Sequence, residues 1–246
     1  MSASSIDNVP ADGSGSAHDR YTRVAIALHW SIAAFIVFNL FTGLFMEGWP
    51  PPVRMLALML HASSGLTVLV LTVARVVWRL LNAPPPYPAG IKPWERHAAH
   101  FAHFMLYAAM VLMPLTGWGV LSAHSPEGSP GQVVEFAKPP AMPPGMKPGS
   151  APPKSLAARP SKPPPPLKLW GVLTMPKILP VEEIGREPGG VDAQRVLHDK
   201  FVDWHAVGGY LLLALLILHV VGALKHQFVD KQSSFARMLM GRQKPS

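Results

Sequence analysis

Trp204–His219 reads WHAVGGYLLLALLILH, an apolar stretch with a histidine near each end, His205 and His219. A bilayer-spanning helix normally excludes ionisable side chains because desolvating them is costly, so those that occur mark function and have a partner. Fourteen residues separate the two histidines, just under four turns at about 3.6 residues per turn, so both imidazoles share one helix face roughly 21 Å apart. The stretch predicts one spanning helix with two stacked sites, one toward each membrane surface.

The rest of the chain supplies three more such runs. Val24–Met46, Leu56–Leu81 and Ala98–Leu121 join Trp204–Leu224, each near the roughly 20 residues that cross a bilayer. The 246 residues are 49% hydrophobic and only 15% charged, against about 25% charged in a soluble domain. The pattern predicts an all-α membrane protein, a four-helix transmembrane bundle. The first run is not a removable signal peptide, being preceded by a polar tail and lacking an A-x-A-like end. There is no cysteine, which excludes disulfides, thiolate-held iron–sulfur clusters and a C-x-x-C-H haem attachment.

The formal charge of +8 is distributed to orient a membrane protein, not to bind nucleic acid. Arg20 and Arg23 precede the first run, and Arg75, Arg79, Lys92 and Arg96 flank the connection between the second and third. Lys225, Lys231, Arg237, Arg242 and Lys244 follow the fourth. The positive-inside rule therefore places both termini in the cytoplasm. Residues 1–20 form a polar tail expected to be disordered. Residues 122–203 are expected to form a long outer loop, with a proline-rich insertion at 126–168. Fourteen of the 28 prolines fall between Pro126 and Pro166, which predicts extended or disordered chain there. Val181–Asp203 is expected to form a short helix or cap at the outer surface. Pro114, inside the third run, predicts a kink.

Two further histidines lie within the runs, His29 in the first and His61 in the second. Helix direction pairs them with the fourth helix. The first helix enters from inside, so His29 is level with His219. The second enters from outside, so His61 is level with His205. Each pair offers two imidazoles and nothing else. Tetrahedral zinc wants four ligands, or three and a water, whereas haem iron takes two axial ligands. Gly208, Gly209 and Gly222, each about one turn from a histidine, leave room for a flat group, as do Ser64 and Gly65 beside His61. The plain alternative is that an intramembrane histidine bonds a backbone carbonyl, which does not account for four at matched depths.

Arg75 lies fourteen residues after His61 on the same face, level with the inner pair. There it either meets haem propionates or snorkels to the interface. His97, His100 and His103 open the third helix. His97 and His100 read as interfacial, while His103, the deepest, suits a proton or quinone site or a stand-in ligand. His18, His124, His198 and His226 read as surface residues.

The segments YTRVAIALHW, LMLHASSGLTVLVLTVARVVWRL, HAAHFAHFMLYAAMVLMPLTGW, WGVLTMP and DWHAVGGYLLLALLILHVVGALKH resemble the bacterial cytochrome b561 family, four-helix di-haem cytochromes of the inner membrane. The resemblance covers essentially all of the transmembrane portion. It implies two b haems with His29, His61, His205 and His219 as axial ligands. It also implies electron transfer between a ubiquinone-type quinone and a periplasmic donor or acceptor, superoxide in one branch. The proline-rich insertion departs from the family on the face where that reactant docks. Two other readings use the same residues. One is a cytochrome b anchor subunit of a hydrogenase-like complex. The other is a metal or proton transporter using the same histidines, with Met142 and Met146 as metal bait.

Overall fold

Four long helices form where the apolar runs fall, each started by a recognisable signal. The computed structural model describes residues 21–82, 92–138, 159–160, 163 and 165–230. The N-terminal tail, His18, Met142 and Met146 lie outside them. Helix α1 (Arg23–Phe45) is capped by Thr22, whose Oγ1 accepts from the Ala25 amide at 3.2 Å. Helix α2 (Pro51–Leu81) and helix α3 (Pro93–Ser122) both begin on prolines, which suit a first turn whose amides have no intrahelical partner. Helix α3 continues through Pro114 as one element.

All four are long and apolar enough to cross a membrane, the fourth being α6 (Val191–Phe228). The protein is a four-helix transmembrane bundle. Neighbours pack in the order α1–α2–α3–α6, while α1 and α6 touch little. Ile32, Ile36, Val68, Met110 and Leu212 form the buried core. Two contacts tie the end where α1 begins and α6 finishes, the terminal end. Trp78 Nε1 donates to Thr22 Oγ1 at 2.9 Å, and Lys225 pairs with Glu95 at 2.8 Å.

The segment between α3 and α6 folds over the opposite end as a cap. Helix α4 (Pro130–Glu135) is followed by strand β1 (Ala137–Lys138), which pairs with β2 (Arg159–Pro160). Strands β3 (Lys168–Leu169) and β4 (Leu173–Thr174) make a hairpin, and helix α5 (Leu179–Glu182) leads through two 3₁₀ turns into α6. The beginning of the proline-rich tract is therefore folded, contrary to the expectation of extended chain. Ser129 Oγ caps α4 by accepting from the Gln132 amide at 3.1 Å. The Gly131 amide donates to the Arg186 carbonyl at 2.9 Å, and a Cβ on Gly131 would lie 1.7 Å from the Gly185 carbonyl oxygen. Gln194, fully buried, donates to the carbonyls of Val181 and Glu182, both at 3.0 Å, and accepts from Ser125 Oγ.

These bonds also explain why the fourth helix starts at Val191, well before the apolar run. Its polar first turns are anchored by the cap. Burial pushes the Glu135 carboxyl up, but hydrogen bonds from His124 and Ser125 outweigh it and hold the group below the ordinary carboxylate range. His124 and His198 lie 5.2 Å apart in this cap, away from the bundle interior.

Candidate functional site

Helix α6 carries His205 and His219 on one face, and each meets a histidine from another helix. The ring centroids of His61 and His205 are 5.9 Å apart, and those of His29 and His219 are 6.3 Å apart. His103 adds a third ring at the terminal end, 5.4 Å from His219. Among the described residues, no group of three or more His, Cys, Asp or Glu is arranged to hold a metal ion. The donors come as facing pairs.

At the cap end, both rings are held the same way. His61 Nδ1 lies 2.9 Å from Thr42 Oγ1, and His205 Nδ1 lies 3.0 Å from Thr116 Oγ1. Each hydroxyl already donates to a backbone carbonyl of its own helix, Thr42 to Phe38 at 2.9 Å and Thr116 to Met113 at 2.9 Å. A hydroxyl carries one hydrogen, so toward these rings each threonine can only accept. Both imidazoles therefore carry their proton on Nδ1 and keep the Nε2 lone pair free. A ligating histidine needs that tautomer, its other nitrogen donating to an oxygen that fixes the ring.

Glycine follows each threonine. A Cβ on Gly43 would stand 3.4 Å from His61 Cε1, and one on Gly117 would stand 3.0 Å from His205 Cε1. A Thr-Gly step on α1 thus seats His61, and a second on α3 seats His205. Neither step was recognised from the sequence, although the repeated dipeptide in FTGLF and LTGWG was the available signal. The role expected of Gly208 is different here. Its absent Cβ would lie 2.5 Å from Met113 Sδ, so this glycine lets α3 and α6 approach. At Gly65 and Gly222, no atom of another described element lies within 4 Å of the Cβ position.

The terminal-end pair has other neighbours. Arg75 Nε donates to Tyr107 Oη at 3.0 Å, while its buried Nη1 has no hydrogen-bond partner among the described residues. Its charge acts on His29, His219 and His103. A buried guanidinium nitrogen without an acceptor is costly, and an anionic group beside this pair would satisfy it. His103 Nδ1 is bonded to the Ala99 carbonyl at 2.6 Å, which leaves its Nε2 free. His97 bonds the Pro93 carbonyl at 2.7 Å, and His226 pairs with Asp230 at 2.7 Å.

A b haem fits this donor set. Two metal–nitrogen bonds of about 2 Å each, with the ring radii, separate facing imidazole centroids by roughly 6 Å. Paired imidazoles with free Nε2 atoms, little contact between α1 and α6, and an orphaned guanidinium nitrogen all suit a flat, anionic, bis-His-ligated macrocycle.

Fold and paired rings together define a membrane-embedded helical electron-transfer protein. The family model described as prokaryotic cytochrome b561 matches residues 20–241, and the chain belongs to that family, whose members bind b haem. "Cytochrome b561 homolog 2" of Escherichia coli is 25% identical over 228 residues, 90% of this chain and 92% of that protein. "Cytochrome b562" of Cereibacter sphaeroides is 36% identical over 108 residues, 40% of this chain and 66% of its own length. "Probable superoxide oxidase CybB" of Yersinia pestis is 25% identical over 105 residues, 42% of this chain and 59% of its own length.

Proposed function

We propose that this protein moves electrons across the bacterial inner membrane between a ubiquinone-type quinone and a reactant at the periplasmic face. In this reading it holds two b haems, one between His29 and His219 and the other between His61 and His205. The observation that carries the proposal is the two facing imidazole pairs, each assembled from a different helix against α6. Bound haem supplies one-electron redox chemistry. The basic residues Arg75, Arg79 and Arg96 share one end of the bundle with Lys225, so the termini face the cytoplasm and the cap faces the periplasm.

The chain's own groups have distinct tasks. Thr42 and Thr116 fix the tautomer and orientation of the cap-end rings. Arg75 offers its unpaired nitrogen to an anionic group at the terminal end. His103, with a free Nε2 beside His219, is placed to exchange a proton with a quinone as it gains or loses electrons. Superoxide suits the cap-end reactant. Two superoxide anions would each give up one electron and leave as dioxygen, and those electrons with two protons would convert quinone to quinol. The name of the Yersinia pestis relative supports that choice.

Visible spectroscopy of the purified protein tests the reading. Dithionite reduction should give b-type haem bands with two haems per chain by pyridine haemochrome assay. A colourless protein, or one haem per chain, would contradict it.

A further inference from the structure

The hairpin Leu167–Met175 belongs to the segment expected at the membrane surface, yet it docks against the middle of the bundle. Lys168 and Leu169 pair with Thr174 and Leu173, and the Met175 amide donates to the Leu167 carbonyl at 2.9 Å. The turn is made by Trp170 and Gly171, with φ of 50° and 76°. Positive φ is natural for glycine but uncommon for a bulky residue, so Trp170 needs anchoring contacts. Its amide donates to Ser63 Oγ at 2.8 Å, its indole Nε1 donates to Thr67 Oγ1 at 3.3 Å, and its ring lies 6.1 Å from Phe35.

Those contacts fix the depth. Thr67 lies six residues beyond His61 on α2, and Phe35 lies between His29 and Thr42 on α1. At about 1.5 Å per residue, the Trp170 amide on Ser63 sits roughly 3 Å past His61, and its indole on Thr67 roughly 9 Å past it, toward the terminal-end pair. That level is inside the membrane-spanning part of both helices.

Irregular backbone survives at such depth only if its polar groups are satisfied. Here they are. The Gly171 amide donates to the Lys168 carbonyl at 3.3 Å, the Val172 amide to the Leu169 carbonyl at 3.0 Å, and the Trp170 amide to Ser63. The outward side chains are apolar. Val172 is 85% exposed and Leu173 65%. Lys168, also exposed, lies two residues back toward the surface, where a long side chain can carry its ammonium to water.

We propose that Leu167–Met175 is a re-entrant hairpin whose outer face, Val172 and Leu173, lies among the acyl chains of the cap-side leaflet. Trp170 pins it to α2 and α1, and the hairpin ties the cap to the bilayer. The occupant of this surface is lipid because the anchoring residues lie at hydrocarbon depth and the surface continues the exposed apolar faces of the spanning helices.

The chain has no cysteine, so single-cysteine variants report one position each. Val172→Cys and, separately, Leu173→Cys would be labelled with a small thiol-reactive fluorophore in the full-length protein and reconstituted into phosphatidylcholine vesicles. Leu218→Cys on the exposed face of α6 serves as the lipid reference, and Val133→Cys on α4 as the water reference. Both hairpin labels should be quenched by acyl-brominated phosphatidylcholine as Leu218→Cys is, and several-fold less by aqueous iodide than Val133→Cys. Iodide quenching equal to that of Val133→Cys would place the hairpin in water and overturn the proposal. A label reached by neither quencher would mark a protein neighbour and would overturn it equally.

Discussion

At the cap end, each ring of the His61–His205 pair rests on a Thr-Gly step of a neighbouring helix, hydroxyl on nitrogen and glycine against carbon. At the terminal end, His29 and His219 have no hydrogen-bonded ring nitrogen among the described residues. The Arg75 charge acts on both instead, and the spare imidazole of His103 lies 5.4 Å from His219. One pair is oriented by shape and neutral hydrogen bonds, the other is set in a field of positive charge. Geometry controls the first, and electrostatics controls the second. The first should tolerate little change in side-chain volume, and the second little change in charge.

Gly117→Leu should have the largest effect. A Cβ there already stands 3.0 Å from His205 Cε1, and a leucine would drive the ring out of the pair. We expect loss of the cap-end haem with the terminal-end haem retained, read as a fall from two haems per chain to one. Gly43→Leu should act in the same direction but more weakly, because its Cβ would meet His61 at an ordinary 3.4 Å. Equal loss of both haems from either variant would break the distinction between the ends.

Arg75→Leu comes next and should act only at the terminal end. Removing a nearby cation disfavours the reduced, more negative state, so that haem's midpoint potential should fall by on the order of 50 mV, about tenfold in the redox equilibrium. Arg75→Lys should recover part of the shift, since charge returns without the planar fork. A redox titration resolving the two haems checks both. An unchanged terminal-end haem would leave Arg75 as a snorkelling residue.

Thr116→Val should have the smallest effect. Losing the acceptor for His205 Nδ1–H makes the imidazole a poorer donor to ferric iron, so the cap-end potential should rise by roughly tens of millivolts. Thr116→Ser should restore it. A valine variant with an unshifted potential would show the hydroxyl to be packing alone.

The approach of His29 to His219 and of His61 to His205 was legible because helical period and chain direction set both face and depth without tertiary information. The Thr-Gly steps were not, since Thr42 and Thr116 act across helix interfaces and read locally as ordinary residues of apolar runs. Gly208 misled for the same reason: its neighbour is Met113 on another helix. Proline density hid α4, although Ser129 before Pro130 carries the cap and first-turn signature of a helix start. The depth of the Trp170 hairpin was not legible at all. It depends on Ser63 and Thr67, more than a hundred residues earlier.

The central claim is that two pairs act as two independent units, and single and double histidine variants test it most directly. His29→Ala and His219→Ala should perturb the same haem, with the double variant adding little because residues acting as one unit are not additive. His61→Ala and His205→Ala should both damage the other haem and leave the first at its normal potential. The readout is a redox titration of each variant in the membrane. Should His29→Ala match His205→Ala instead, the pairs would be wrongly drawn, and the account of both ends would fall with them.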